Sequence, residues 1–255
     1  MKSYLRTLEY LSKENIPAII IMIIKTRGSS PAKSGTKLII SKSKIEYGTI
    51  GGGKLEHQAI ADAGDLLSSR NKTLTKEYPL GAAFGQCCGG SVELFMEVIN
   101  TAPLLYIFGA GHIGYALSEI MKNTAFDVKL IDSRENWFGQ FSDHPEVDYI
   151  NEESDFFEEL VQWNQSRTYL IVLTHLHDLD QEIIEFSIEK EAKYIGLIGS
   201  QTKWKQFKKR ILQKKDLEIE LAKVHCPVGL NIGGESPQEI AISIASELLK
   251  THYEK

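Results

Sequence analysis

Between Leu104 and Asp132 the chain runs an apolar strand pattern, Leu104-Leu-Tyr-Ile-Phe108, straight into Gly109-Ala-Gly-His-Ile-Gly114. A helix pattern follows, then a second strand that closes on Asp132. No other feature restricts the fold as much. A G-x-G-x-x-G turn between strand and helix, with an acid about 20 residues on, is the opening of a Rossmann βαβ unit. Each glycine has its own physical task. Gly109 supplies the tight turn, Gly111 lets the backbone approach a phosphate, and Gly114 lets the helix pack on the strand. The unpaired N–H groups of the helix N-terminus then face the anion. His112 stands inside the turn, and Asp132 is placed to accept from a ribose or similar pair of hydroxyls. Rossmann turns that hold no ligand also exist, and the fold expectation is the same for both.

From Leu104 onward the pattern alternates regularly. Strands are expected at Leu104–Phe108, Val128–Ile131, Tyr169–Leu173 and Tyr194–Ile198. Helices are expected near Ile113–Lys122, Phe156–Trp163, Leu179–Lys190 and Lys203–Gln213. Such alternation predicts a doubly wound parallel sheet with helices on both faces. Ser236-Pro-Gln-Glu239 announces a last helix, with an N-cap serine, proline at the first helical position and a capping-box glutamate. The preceding part reads differently. It offers an amphipathic helix over 1–14, a β-branched strand Ala18–Lys25, short strands Lys37–Ser41 and Ile45–Ile50, a helix over Lys54–Arg70 and a strand Val92–Ile99. Asn100-Thr-Ala-Pro103, polar and small ahead of a new strand, marks the boundary. The expected architecture is α/β, with a smaller N-terminal α+β domain over 1–100 and a Rossmann-like doubly wound parallel sheet over 101–255.

Bulk properties narrow the partners. A net charge of −5 gives no electrostatic footprint for nucleic acid. No apolar run approaches the ~20 residues that span a bilayer, and Met1–Glu9 lacks the apolar core of a secretory signal. Three cysteines, two of them adjacent at Cys87 and Cys88, make no disulfide framework and suit a reducing compartment. The expected location is the cytoplasm, with no membrane partner.

Candidate site residues lie on loops. Thr174-His-Leu-His-Asp-Leu-Asp180 and Gly199-Ser200 follow strands whose carboxyl ends rim the ligand crevice of a doubly wound sheet. His175, His177 and Asp180 suit ligand contact, acid–base work, metal binding or simple helix capping; Gly199 and Ser200 offer backbone N–H groups. Lys203 adds positive charge, although a solvated lysine is the commoner explanation for such a residue. In the N-terminal part Gly51-Gly52-Gly53 precedes a helix and forms either an anion nest or a flexible turn. Gln86-Cys-Cys-Gly-Gly90 places thiols among exposed backbone donors, conditions that lower a thiolate pKa. The alternative is one buried small hydrophobe and one bystander. No matching Cys/His set accompanies the pair, so zinc is not expected. Cys226 in His225-Cys-Pro227 is expected to be buried at a strand end.

Taken together these segments resemble the xanthine dehydrogenase accessory protein family (XdhC/CoxI). The matching stretches are Gly28-Ser-Ser-Pro31, Gly48-Thr-Ile-Gly-Gly-Gly53 and Gly85-Gln-Cys-Cys-Gly-Gly90 in the N-terminal part. Phe108–Gly114, Asp132-Ser-Arg134, Thr174–Asp180, Gly196-Leu-Ile-Gly-Ser200, Cys226–Gly233 and Ser236–Ile240 follow in order. The resemblance implies an accessory chaperone that binds molybdenum cofactor (molybdopterin) and supports its sulfuration and insertion into a molybdenum hydroxylase such as xanthine dehydrogenase, in purine catabolism. It implies the hydroxylase as client and a cysteine desulfurase as a second partner, with a homodimer as the default assembly. Cofactor contacts are then expected from Gly51, Gly52, Gly53, Cys87, Cys88, Gly109, Gly111, His112, Gly114, Asp132, His175, His177, Gly199 and Ser200, with Cys87 and Cys88 as the candidate molybdenum contacts. No catalytic residue is expected. Ala32 stands where the family commonly has arginine, which leaves Lys33 as the substitute anion contact. The alternative reading is an NAD(P)-dependent oxidoreductase that uses the Rossmann half directly.

Overall fold

A computed structural model describes residues 3–42, 44–69, 71–80, 90–134, 147–150, 160–214 and 218–254. Cys87 and Cys88, with residues 81–89 as a whole, lie outside the described residues, as does the first half of the helix expected over Phe156–Trp163; of its second half Leu160 is helical and residues 161–163 are not. The chain divides into two compact units, Met1–Thr101 and Ala102–Lys255.

In the first unit the described strands are β1 (Ala18–Arg27), β2 (Lys37–Ser41), β3 (Lys44–Gly48), β4 (Thr73–Leu80) and β5 (Gly90–Ile99). They form an antiparallel sheet in the order β3-β2-β1-β5-β4. Alternation in β1 sends Ile19, Ile21 and Ile23 to one face, where helix α2 (Gly53–Ser68) covers them with Leu55, Ala59, Ala63 and Leu66. Helix α1 (Tyr4–Lys13) packs Leu11 and Leu8 on the other face, beside Ile20 and Ile39. Strand β4 was not expected. It is an edge strand with mostly exposed residues and Pro79 within it, so its apolar signal is confined to Tyr78 and Leu80.

In the second unit the described strands are β6 (Leu104–Phe108), β7 (Asp127–Ile131), β8 (Val147–Ile150), β9 (Asn164–Val172), β10 (Ala192–Leu197) and β11 (Val224–His225). All pairings are parallel, in the order β11-β10-β9-β6-β7-β8. That is the 3-2-1-4-5-6 order of the dinucleotide-binding fold, with its reversal between β6 and β9. All five residues of β6 are buried, as a strand covered on both faces requires. Tyr106 and Phe108 join a core with Ile183, Ile184, Trp204 and Phe207, from helices α4 (His177–Ser187) and α5 (Gln201–Lys214). Leu105 and Ile107 face the opposite core, with Leu117 and Met121 of α3 (His112–Met121) and Ile244 and Leu248 of a C-terminal helix. A single turn, α6 (Glu218–Leu221), precedes β11, and the C-terminal helix is α7 (Pro237–Tyr253). Its capping box is formed: the Ser236 side chain accepts from Glu239 N–H, and the Glu239 carboxylate accepts from Ser236 N–H. No helix among the described residues is long and apolar enough to cross a membrane.

Candidate functional site

The carboxyl ends of β6 and β9 diverge at the reversal of strand order, and the glycine turn sits there. Gly109 has φ +116°, and a Cβ on it would strike the Leu173 carbonyl. A Cβ on Gly114 would strike the Gly109 carbonyl. Gly111 differs from both. It is the N-cap of α3 with φ −64° and ψ −177°, ordinary extended backbone, and a Cβ on it would meet nothing within 4 Å among the described residues. Gly109 and Gly114 thus serve the fold, whereas the space in front of Gly111 remains open to a ligand. The N-cap residue of α3 is Gly111, which has no side chain to cap the helix, and His112, its first residue, is exposed.

Asp132, at the end of β7, is buried and fully engaged with its neighbours. One carboxylate oxygen accepts from Ala110 N–H at 2.8 Å, inside the glycine turn. Arg134 closes on both oxygens, with Nε to Oδ1 at 2.8 Å and Nη2 to Oδ2 at 2.6 Å. Burial alone would raise the carboxyl pKa, but the Arg134 guanidinium and the two backbone N–H donors outweigh it and hold the pKa below its usual value. A narrow cleft runs from Gly109 and Asp132 to Ser133, Thr174 and His175, with only about 10 Å³ of interior room. That is space for about one water molecule, so any larger ligand lies outside the cleft, at its mouth.

The next two loops of this edge are tied together from beneath. Asp180 is fully buried in the first turn of α4. Its Oδ1 accepts from the N–H of Thr174 at 2.9 Å and from the Thr174 hydroxyl at 2.7 Å. Its Oδ2 meets Lys203 Nζ at 2.7 Å, and that ammonium also donates to the Ile198 carbonyl at 3.1 Å. Lys203 passes over Gly199, where a Cβ would approach its Cδ to 2.6 Å. The expectation of a solvated Lys203 is therefore corrected: its side chain is 13 % exposed and ion-paired. Ser200 begins α5, its side chain accepting from Lys203 N–H at 3.2 Å. His175 and His177 are both exposed, and His175 lines the cleft. Cys226 is half-buried near the Gly199 carbonyl, and burial pushes its thiol up to about 11 despite Lys203 and Lys208.

In the first unit three predicted segments converge at one end of the sheet. Gly51 lies against Pro31, where a Cβ would approach the ring to 2.6 Å, and Gly90 abuts the backbone of Arg27 and Ser29. The Gly51–Gly53 turn has positive φ throughout, and Glu56 reaches back into it. Its carboxylate accepts from the N–H groups of Ile50 at 3.0 Å and Gly52 at 3.2 Å. Of the expected anion nest, the Gly52 N–H is thus engaged by a carboxylate from the chain itself and the Gly51 N–H by the Thr49 hydroxyl. Cys87 and Cys88 precede Gly90 outside the described residues. Among the described residues, no group of three or more His, Cys, Asp or Glu side chains is arranged to hold a metal ion.

In the sequence Lys203 stands out only as a positive charge and Arg134 only within a matching stretch; the ion pairs Arg134–Asp132 and Lys203–Asp180 come from the structure. For Arg134 the local signal is a cation two residues after the acid that closes the βαβ unit.

Fold and edge together define a Rossmann-type domain with a glycine turn at its strand reversal, preceded in sequence by an antiparallel α+β unit. Family comparison agrees. The XdhC Rossmann domain matches residues 105–248, and the XdhC and CoxI family matches residues 11–79. The chain belongs to the XdhC and CoxI family. It is 32 % identical over 243 residues to the uncharacterized protein YqeB of Escherichia coli K12, covering 94 % of this chain and 44 % of that protein. It is 32 % identical over 163 residues to a probable xanthine dehydrogenase subunit of Bacillus subtilis 168, covering 63 % and 46 %. The chain spans less than half the length of these two relatives. A crystal structure described as a xanthine dehydrogenase from Bacillus halodurans aligns over 98 % of this chain and 96 % of that one, at 22 % identity and a TM-score of 0.49.

Proposed function

We propose that this protein is an accessory factor for a molybdenum hydroxylase of the xanthine dehydrogenase kind, and that it binds molybdenum cofactor by its phosphate at the Gly109–Gly114 turn. The observation that carries the reading is the open approach at Gly111. Two of the three glycines are required by packing, whereas the third has open space before it, among the described residues, at a helix N-terminus. A phosphate suits that place because the helix dipole and unpaired N–H groups favour an anion. Family membership supports the same reading, as does the Bacillus subtilis relative, named as a probable xanthine dehydrogenase subunit.

When bound, the cofactor supplies a pterin dithiolene that carries molybdenum, for sulfuration and delivery to the client. The chain's own residues hold the phosphate end and position the surrounding loops. Soft thiolate ligands suit such a metal. Cys226 is a poor source, because burial keeps its thiol protonated at neutral pH. Cys87 and Cys88 are the proposed contacts, with a cysteine desulfurase as sulfur source and a cytoplasmic setting for the exchange.

The test is purification of the full chain from cells that make molybdenum cofactor, followed by pterin fluorescence, metal analysis and activation of a cofactor-free molybdenum hydroxylase. Retained pterin that activates the client supports the proposal. Stoichiometric NAD(H) without pterin, together with turnover of a small substrate, contradicts it and favours an oxidoreductase.

A further inference from the structure

A carboxylate has roughly four acceptor sites on its two oxygens. Those of Asp132 are occupied from within the chain. Oδ1 accepts from the Arg134 N–H at 3.0 Å and from Arg134 Nε at 2.8 Å. Oδ2 accepts from the Ala110 N–H at 2.8 Å and from Arg134 Nη2 at 2.6 Å. The Asp132 side chain is 3 % exposed and that of Arg134 28 %, so the guanidinium covers the carboxylate on the solvent side. In nucleotide-binding Rossmann domains the acid at this position accepts from the ribose hydroxyls. Here a diol finds no acceptor. To reach one it must break a bidentate pair between two charged groups and leave the guanidinium without its counter-charge, with only hydroxyl donors offered in exchange.

We infer that Asp132 is a positioning residue: it holds the glycine turn through Ala110 and fixes the Arg134 guanidinium at the crevice rim, so this Rossmann half selects a phosphate monoester and rejects an unphosphorylated ribose diol. The inference rests on the reading above only for the identity of the ligand. A guanidinium beside this position accommodates the 2′-phosphate of NADP-type nucleotides. The shared chemistry is therefore a phosphate monoester, carried either by a pterin or by a nucleotide.

Two binding arms with the full chain separate these sources. One measures molybdopterin retained through purification, and the other measures NADPH and NADH by calorimetry. In whichever arm binds, Arg134→Gln is expected to weaken binding about tenfold, the loss of one charge-assisted hydrogen bond. NADH is expected to bind at least about tenfold more weakly than NADPH. NADPH binding through Arg134 with no pterin retained sustains this inference while removing the chaperone reading. NADH binding as tightly as NADPH and untouched by Arg134→Gln overturns the inference and leaves the chaperone reading intact. If neither ligand binds, hydrogen exchange of the ligand-free protein decides. Asp132→Ala is expected to speed exchange of the Ala110 amide about tenfold as its acceptor is lost, and an unchanged rate overturns the inference.

Discussion

Lys203 Nζ lies 2.7 Å from Asp180 Oδ2, in a pair whose carboxylate is wholly buried and whose ammonium is nearly so. The two residues sit at the starts of successive helices on one face of the Rossmann sheet. Because Asp180 also holds Thr174 by its backbone N–H and hydroxyl, one carboxylate fixes the spacing of two loops at the crevice. Burial makes this pair asymmetric in its consequences. Removing one partner leaves a charge uncompensated in the interior, at a cost of about 3–5 kcal/mol. Denaturant unfolding of Lys203→Met is expected to show a loss of that size. Replacing both residues by apolar ones should recover most of it, and additive losses in the double variant would refute the coupling.

Gly111 and Gly114, three residues apart, are expected to respond oppositely to the same methyl group. Gly111→Ala adds a Cβ into open space on backbone that any residue adopts, so stability should stay within about 0.5 kcal/mol of the parent. Gly114→Ala forces a Cβ onto the Gly109 carbonyl and is expected to cost about 1–3 kcal/mol or more. Paired thermal melts check both. A large loss at Gly111 would mean that the space before it is not open.

The acid limb of stability carries a signature of Asp132. Its folded pKa is depressed below the usual 3.8, so its contribution is complete above that value and disappears as pH falls through the lower folded value. Arg134→Gln removes the largest of the opposing, pKa-lowering influences. The pH at which acid unfolding begins should then move upward, as followed by circular dichroism. Coincident acid limbs for the two proteins would count against the pair.

Cys226 has the opposite sign. Burial raises its thiol from 9.0 to about 11, so the neutral thiol favours the folded state below 9.0, and that stabilisation fades as pH rises through the folded value. Native iodoacetamide labelling near neutral pH, read by peptide mass spectrometry, should leave the Cys226 peptide largely unmodified. Rapid modification at that peptide would show that the thiol is accessible as thiolate.

The contrast between what the linear chain revealed and what it concealed follows from distance along the sequence. The closure of Gly109 on Leu173 depends on the pairing of β6 with β9, whereas Gly114 acts on Gly109, within the same turn, so its task can be read from spacing alone. The same holds for the capping box at Ser236 and Glu239. Asp132 was legible as the acid that closes the βαβ unit, but not as one already engaged by Arg134, because an ion pair two residues apart looks identical to two solvated charges. The Asp180–Lys203 pair spans two crossover loops and becomes evident only once β9 and β10 lie side by side. Glu56 gave the same difficulty. An acid in the first turn of a helix suits the dipole, whereas its return into the Gly51–Gly53 turn depends on three consecutive positive φ angles. Edge strand β4 was missed because half-exposed alternation with an internal proline resembles a loop.

The most direct measurement of the central claim is the molybdopterin content of the full chain and of Gly111→Val, each purified from cells that make the cofactor. The account predicts stoichiometric pterin on the parent and, because a branched side chain now blocks the approach to an otherwise intact turn, a loss of about tenfold or more in the variant, corresponding to at least about 1.4 kcal/mol. Equal pterin on both proteins, with unchanged melting temperatures, would contradict it and place the phosphate elsewhere.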